Sequence, residues 1–236
     1  MYYSYGYDTS YLIGYVFIFV GFIITMLAQV FVSSSYSKYK QIKNDKNITG
    51  FDVARKILDS NGLSNVDVVE VKGNLTDHYD PRSKVVRLSS DIYNGTSVAA
   101  VAVSAHECGH AIQDKEGYGP MRLRSSIVPV VNLCDKLGYF VIMIGFLFGY
   151  FNVAIFGFIL LCSVLVFQLV TLPVEFNASK RAKIQINQLN MVNDRELDGA
   201  SKMLVAAAMT YVASVINTLL QLLRLLVIIL GKRRDD

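Results

Sequence analysis

The chain has 236 residues, of which 53% are hydrophobic, and a formal net charge of +4 at pH 7. The apolar residues cluster in long runs, which excludes an ordinary soluble protein. The small positive charge comes from lysines and arginines beside those runs, so we expect no nucleic-acid partner. Three cysteines, an odd number, do not form a disulfide framework.

The first apolar run covers residues 11–32 and contains no charged side chain. Its 22 residues are enough to cross a bilayer and too many for a signal-peptide core, and no basic segment precedes it. We therefore predict a permanent transmembrane helix at 11–32, preceded by a short extracytoplasmic N-terminus at 1–10.

Residues 33–126 have the pattern of an α+β domain. A helix is predicted from Thr49 to Asn61, because the segment begins with turn and capping residues and ends at Asn-Gly. Alternation of apolar and polar residues then predicts strands, and a turn at 81–83 predicts a β-hairpin beside the next helix. The predicted strand segments are 66–71, 75–80 and 84–88. The strand at 85–88 is also a candidate edge for binding an extended substrate.

A further helix is predicted over 97–113, with Thr96 or Ser97 as its N-cap and Gly109 as the one residue that disfavours it. This helix contains a five-residue motif, His-Glu-Cys-Gly-His, at 106–110.

The spacing of that motif is typical of a catalytic zinc site. Residues four apart lie on one face of a helix, so His106 and His110 can present two imidazole nitrogens to one Zn²⁺. Glu107 points about 100° away from His106, where it is placed to act as a general base on water. Cys108 points away from the metal face and is not expected to be a ligand.

The second apolar run, at 137–172, has no charge over 36 residues and contains a turn signal near residues 149–152. It predicts a hydrophobic hairpin of transmembrane helices 2 and 3. A polar segment at 173–202 follows, and the last apolar run, at 203–230, contains Arg224. That run is predicted to be a fourth transmembrane helix or a helix packed at the interface, which gives three to four spans.

Lysine and arginine set the predicted orientation. They are absent from 1–10 and from the turn of the hairpin, and they are frequent after the first span and on both sides of the hairpin. The positive-inside rule therefore predicts a multi-pass protein of the bacterial plasma membrane, with the zinc motif facing the cytoplasm. The basic residues at 232–234 favour three spans and an interfacial C-terminal helix, because a fourth span would place them outside.

A catalytic zinc takes three protein ligands and keeps one position open for water, so the motif needs one more residue. The candidates are His78, Glu175, Glu196 and Asp198. Glu175 directly follows the hairpin, where a lone carboxylate is costly unless it is paired or bound to a metal. Its alternative role is an interfacial carboxylate paired with Lys180 or Arg181.

The order of zinc motif, hydrophobic hairpin and Glu-Phe-Asn-Ala at 175–178 resembles the integral-membrane zinc metallopeptidases of the HtpX kind. The resemblance is closer to the bacterial YugP-type neutral zinc metallopeptidases and covers residues 49–215. The similar segments are 75–81, 85–89 and 168–182.

This resemblance implies a zincin-like cytoplasmic domain in which His106, His110 and Glu175 bind zinc and Glu107 is the base. One departure concerns Ser179, which stands where the HtpX pattern has an aspartate that holds a ligand histidine. The hydrogen-bond partner of His106 or His110 is therefore sought among other residues, namely Asn177, Asp77 and Asp80.

The expected function is a membrane-embedded zinc metalloendopeptidase that acts on peptides or membrane proteins. A non-catalytic zinc-binding membrane adaptor is the alternative, and the intact Glu107 argues against it. A transporter is disfavoured because the first three apolar spans contain no charge. The candidates for a donor to the oxyanion are His78, Tyr79, Arg181 and Tyr211, of which His78 is preferred because it lies on the predicted hairpin.

Overall fold

The computed structural model describes residues 9–73 and 76–234, and it is mainly helical with one small sheet. Most of the predicted N-terminal segment 1–10, and the first residue of the predicted hairpin, residue 75, lie outside the described residues. In chain order the elements are α1 (Thr9–Lys40), α2 (Gly50–Ser60), β1 (Asp67–Val71), β2 (His78–Asp80), β3 (Val85–Ser89), α3 (Ser90–Tyr93), α4 (Val98–Lys115), α5 (Gly119–Leu147), α6 (Phe151–Gln188) and α7 (Asp194–Arg234).

The chain forms two compact units. The α/β unit consists of Gln29–Arg122 and Leu172–Thr210, and it holds the sheet, the shorter helices and one end of each of the four long helices. The helical unit consists of Met1–Ala28, Leu123–Thr171 and Tyr211–Asp236.

In the α/β unit, α2 begins where the sequence predicts. The hydroxyl of Thr49 accepts a hydrogen bond from the Asp52 N–H, and the Asp52 carboxylate accepts one from the Thr49 N–H, so the two residues form a capping box. The helix buries one apolar face, which includes Ile57 and Leu58, and ends at Asn61.

The sheet has the order β1-β3-β2. β2 and β3 form the predicted antiparallel hairpin, with Tyr79 opposite Val86, while β1 runs parallel to β3, with Val68 opposite Val86. β3 is therefore the central strand, and the prediction that 85–88 offers an edge to a substrate is wrong. Alternation within a strand does not reveal which distant strand it pairs with, and the two edges are β1 and β2.

Helix α4 lies in the core of the α/β unit. Ser97 caps it, because its hydroxyl accepts a hydrogen bond from the Ala100 N–H at 3.1 Å. Its buried positions are mostly small residues, so neighbouring elements approach its backbone closely. The buried small residues on its first two turns are Ala99, Ala100, Ala102 and Ser104.

Within the described residues, four helices are long and apolar enough to cross a membrane: α1, α5, α6 and α7. The length and composition of α7 thus favour four spans over the three that the basic tail favours. α5 and α6 are joined at the predicted turn, where Gly149 has a positive φ of 70° that residues with a side chain rarely adopt. α6 continues well beyond the apolar run and ends at Gln188.

Small residues bring α5 and α6 together within the helical unit. A Cβ added to Gly157 would lie 2.7 Å from the carbonyl oxygen of Gly138, and one added to Gly145 would lie 2.5 Å from the Ala154 nitrogen. Large apolar side chains elsewhere on the unit are exposed, with Phe19 at 65% and Leu147 at 74%. Such exposed apolar surface is expected of helices that face lipid.

Candidate metal centre

The helix α4 presents both histidines of the motif on one face. The imidazole rings of His106 and His110 have centroids 4.8 Å apart and meet edge to face at 84°. This arrangement follows from their spacing of four residues in an uninterrupted α-helix. His110 is buried and the side chain of His106 is 17% exposed, so the pair lies at the rim of the core.

Helix α6 brings Glu175 to the same place. Its carboxylate oxygen Oε2 lies 3.3 Å from Nε2 of His106 and 3.5 Å from Nε2 of His110, and the residue is only 2% exposed. The approach depends on Gly109, because a Cβ there would lie 2.6 Å from the carbonyl oxygen of Ala178. A backbone atom cannot move aside without shifting the helix, so a glycine is required at this contact.

These three residues fit a zinc ion. In the described part of the chain they are the group whose ligand atoms cluster, within 4.8 Å of one another. Two imidazole nitrogens and one carboxylate oxygen form a donor set typical of catalytic zinc. Ligands about 2.05 Å from a tetrahedral zinc are separated by about 3.3 Å, which agrees with the two nitrogen-to-oxygen distances.

The other nitrogen of each imidazole ring has its own partner. Nδ1 of His106 lies 3.2 Å from the hydroxyl of Ser179, and Nδ1 of His110 lies 3.0 Å from Oε1 of Gln113. Ser179 therefore occupies the position of the expected aspartate and contacts a motif histidine without a charge. Both bonds leave Nε2 directed towards Glu175.

In the described part of the chain, the predicted partners Asn177, Asp77 and Asp80 are not hydrogen-bonded to the imidazole rings, whose Nδ1 atoms have other partners. Asp77 accepts hydrogen bonds from the N–H and hydroxyl of Ser89, and Asp80 accepts them in the hairpin turn and from Arg87. Those carboxylates are used to hold the hairpin together. Asn177 accepts a hydrogen bond from Gln113, which in turn contacts His110.

Gln113 is the residue that sequence reasoning missed. It is fully buried, and its amide nitrogen donates to the carbonyl of Val174 at 2.8 Å and to Oδ1 of Asn177 at 3.0 Å. Because the nitrogen has two acceptors, the amide oxygen must face His110, and Nδ1 of His110 must carry the proton. A buried polar residue three positions after His110, on the same helix face, was the available signal.

The hydrogen bonds from Gln113 to Asn177 continue through Asn177 to the protein surface. Arg181 donates through Nε to Oδ1 of Asn177 at 2.7 Å, and its guanidinium pairs with Glu116 at 2.6 Å. Glu116 directly follows α4, so the hydrogen bonds join the end of α4 to α6 twice. Glu175 contacts both histidines, and none of the ion pairs among the described residues is the predicted alternative pair of Glu175 with Lys180 or Arg181.

Glu107 lies beside the cluster without belonging to it. Its carboxylate oxygen Oε2 accepts a hydrogen bond from the backbone N–H of Tyr79 at 2.9 Å, and the residue is 8% exposed. The edge strand β2 thus fixes the orientation of this carboxylate.

Charge and burial act on the neighbours of the cluster. Burial disfavours a charged His110, but the carboxylates of Glu175 and Glu107 outweigh it and raise the pKa of His110 above its ordinary value. Burial, together with the charge of Glu107, raises the pKa of the Cys108 thiol. Its sulfur points to the carbonyl of Ala54 at 3.6 Å, so Cys108 is a neutral core residue.

The other candidate ligands lie outside the cluster. Nδ1 of His78 contacts the carbonyl of Thr76 at 2.8 Å on an exposed part of β2. Glu196 is buried, but it accepts hydrogen bonds from the backbone N–H groups of Asp45 and Asn193 as part of the start of α7. Asp198 pairs with Lys202 at 2.5 Å.

Two of the four candidate oxyanion donors are already engaged. The hydroxyl of Tyr79 donates to Asp114 at 2.7 Å, and Arg181 is held by Glu116 and Asn177. Tyr211 belongs to the helical unit. His78 directly precedes Tyr79, whose N–H donates to Glu107. The role of His78 as a donor to the oxyanion stays a prediction.

Comparisons with known proteins identify the family of this chain. A family model described as "Putative neutral zinc metallopeptidase" matches residues 14–230. The "Putative membrane protease YugP" of Bacillus subtilis (strain 168) is 44% identical over 213 residues, which cover 90% of this chain and 95% of that protein. No solved structure matches the chain significantly. The family resemblance predicted from the sequence is confirmed.

Proposed function

This chain belongs to the neutral zinc metallopeptidase family, and we propose that it is a membrane-embedded zinc endopeptidase with Glu107 as its general base. The observation that carries the proposal is the convergence of His106, His110 and Glu175, with Glu107 held beside them by the Tyr79 N–H. A structural zinc site has no use for such a carboxylate, because all four of its ligand positions are closed.

A zinc ion in this site would supply Lewis-acid activation of water and of the scissile carbonyl. Glu107 would accept the proton from the attacking water and deliver it to the leaving amine. The Tyr79 N–H keeps that carboxylate in one orientation, and Gln113 and Ser179 hold the imidazole rings with Nε2 free to bind metal. His78 is the proposed donor to the oxyanion.

The proposed substrate is an extended segment of a peptide or membrane protein. β2 is an edge strand, and its Tyr79 contacts Glu107, so a chain added to this edge would lie beside the proposed base. Main-chain hydrogen bonds at an edge do not select a side-chain sequence, which suits an enzyme with varied substrates.

The protein is a membrane protein, as its relative and its four apolar helices indicate. We propose that the metal centre faces the cytoplasm of a bacterial cell. Lys43 and Lys46 follow α1, in the segment that leads to α4, and Lys180 and Lys183 follow the apolar part of α6. By the positive-inside rule these lysines favour a cytoplasmic position for the segments that carry the site.

The test is cleavage of casein by the full-length protein purified in detergent, with zinc content measured on the same samples. Glu107→Gln should lower the rate about 10²- to 10⁴-fold and keep one zinc per chain, since the residue is a base rather than a ligand. Glu70→Gln, on the exposed face of β1, is the matched control and should leave the rate unchanged. Equal cleavage by wild type and Glu107→Gln would refute the proposed mechanism. Zinc without any protease activity would favour the adaptor.

A further inference from the structure

A cavity of about 500 Å³ lies in the α/β unit, between the last turns of α1 and the first turns of α7. It shares no residue with the metal centre. Its lining includes two cationic side chains, Lys38 and Lys202, and two apolar ones, Phe31 and Val205. The hydroxyl groups of Ser35 and Ser201 line it as well.

Helices α1 and α7 run antiparallel here, because Asp45, just after α1, contacts Glu196, whereas Tyr39 lies against Gly199 further along α7. On α1 the apolar Phe31 precedes Lys38 by seven residues, or about 10 Å. On α7 the order is reversed, since Lys202 precedes Val205. The cations therefore come together at one end of the cavity and the apolar side chains at the other.

The apolar end is continuous with candidate membrane spans. Phe31 lies in the span Ser10–Lys40 and Val205 in the span Asp194–Gly231, and their side chains are 47% and 51% exposed. A free anion would gain nothing from these apolar side chains, whereas the glycerol and first methylenes of a lipid would bury against them.

The lysines and serines that line the cavity supply a net positive charge and hydrogen-bond donors. Among the described residues Lys38 has no ion-pair partner, and its ammonium lies 5.4 Å from the ring centroid of Tyr39. Lys202 pairs with Asp198, so the three groups together carry one net positive charge. That charge matches a single phosphodiester, and the hydroxyls of Ser35 and Ser201 can donate hydrogen bonds to its oxygens.

We propose that this cavity binds one anionic glycerophospholipid from the bilayer, with the phosphate between Lys38 and Lys202 and the first part of the acyl chains against Phe31 and Val205. This site is independent of the proposed protease activity. It ties the α/β unit to the headgroup layer at a fixed depth.

The test is native mass spectrometry of the full-length protein in detergent, titrated with dioleoyl phosphatidylglycerol and, separately, with dioleoyl phosphatidylcholine. The wild type should bind one phosphatidylglycerol per chain at least ten times more tightly than phosphatidylcholine. Lys38→Gln combined with Lys202→Gln should weaken that binding at least tenfold. Ser201→Phe, which fills the cavity without changing the charge, should do the same.

Lys183→Gln is the control, because this exposed lysine lies on α6 and does not line the cavity. Thermal unfolding in the same detergent checks that each variant is folded. Equal binding of both lipids, or an equal loss in Lys183→Gln, would overturn the proposal in favour of general surface attraction. Retained binding in Ser201→Phe would show that the lipid does not enter the cavity. If inorganic phosphate added to the same samples displaced phosphatidylglycerol at comparable concentrations, the site would bind phosphate and not a lipid.

Discussion

Glycines bring helices into close contact in both compact units, but the contacts serve different purposes. In the helical unit Gly138 and Gly157 let α5 and α6 touch, and large apolar side chains remain exposed around them. In the α/β unit Gly109 lets α4 touch the backbone of Ala178, and buried hydrogen bonds from Gln113 and Ser179 cross the same contact. Close packing brings helices together, whereas these polar hydrogen bonds orient the proposed metal ligands.

The largest effect is expected from Gly109→Ala. The added methyl group would overlap the carbonyl oxygen of Ala178 and push α6, with Glu175, away from the histidines. We expect zinc binding to weaken by about 100-fold or more, measured by competition with a chromophoric chelator. Gly119→Ala is the matched control, since nothing lies within 4 Å of a Cβ at that position. Unchanged affinity in Gly109→Ala would mean that the close approach does not build the site.

Gln113→Ala should have the next largest effect. It removes the partner of His110 and the bond to the Val174 carbonyl, so the imidazole is free to rotate or to change tautomer. A loss of about 10- to 100-fold in zinc affinity is expected. Gln188→Ala, at the exposed end of α6, should show no change in the same chelator competition. Equal zinc affinities of the two variants would show that the hydrogen bonds of Gln113 are not needed for zinc binding.

Gly157→Ala tests the helical unit. Its new methyl group would meet the carbonyl of Gly138, and overpacking of this kind costs about 1–3 kcal/mol. The expected result is a lower midpoint of unfolding in detergent with unchanged zinc affinity, because the three proposed metal ligands all lie in the α/β unit. Val166→Ala, on an exposed face of α6, serves as control. Loss of zinc in Gly157→Ala would contradict the division of roles between the units.

Thr49→Ala should have the smallest effect. It removes one half of the capping box of α2 and should cost about 1 kcal/mol of stability, since the first turn loses its side-chain acceptor. Zinc affinity should not change, because α2 supplies no ligand. Ser60→Ala, at the other end of the same helix, is the comparison, and an equal loss in both variants would argue against a specific capping effect.

Local features of the site could be predicted from the sequence. His106 and His110 are neighbours because of a helical period, and Thr49 caps a helix because of a residue three positions away. The turn at Gly149 follows from its conformational freedom. Each of these arguments uses residues that are close in the chain. Glu175 required the family resemblance, because no local spacing relates it to the histidines.

The rest depended on contacts between distant segments. The pairing of β1 with β3 joins strands that are not adjacent in sequence, so β3 was wrongly predicted to have a free edge. The contacts of His106 with Ser179 and of Gln113 with Val174 cross from α4 to α6. Helix α6 also extends beyond its apolar run, because the polar residues after Pro173 are mostly good helix formers.

The most direct test of the central claim is zinc K-edge X-ray absorption on the purified full-length protein and on Glu175→Ala. The wild type should show a shell of nitrogen and oxygen ligands at about 2.0–2.1 Å, with two imidazoles and no sulfur at about 2.3 Å. In Glu175→Ala the zinc should be lost or the oxygen contribution altered. A sulfur ligand in the wild type, which would point to Cys108, or an unchanged spectrum in Glu175→Ala would contradict the assignment of His106, His110 and Glu175 as the metal ligands.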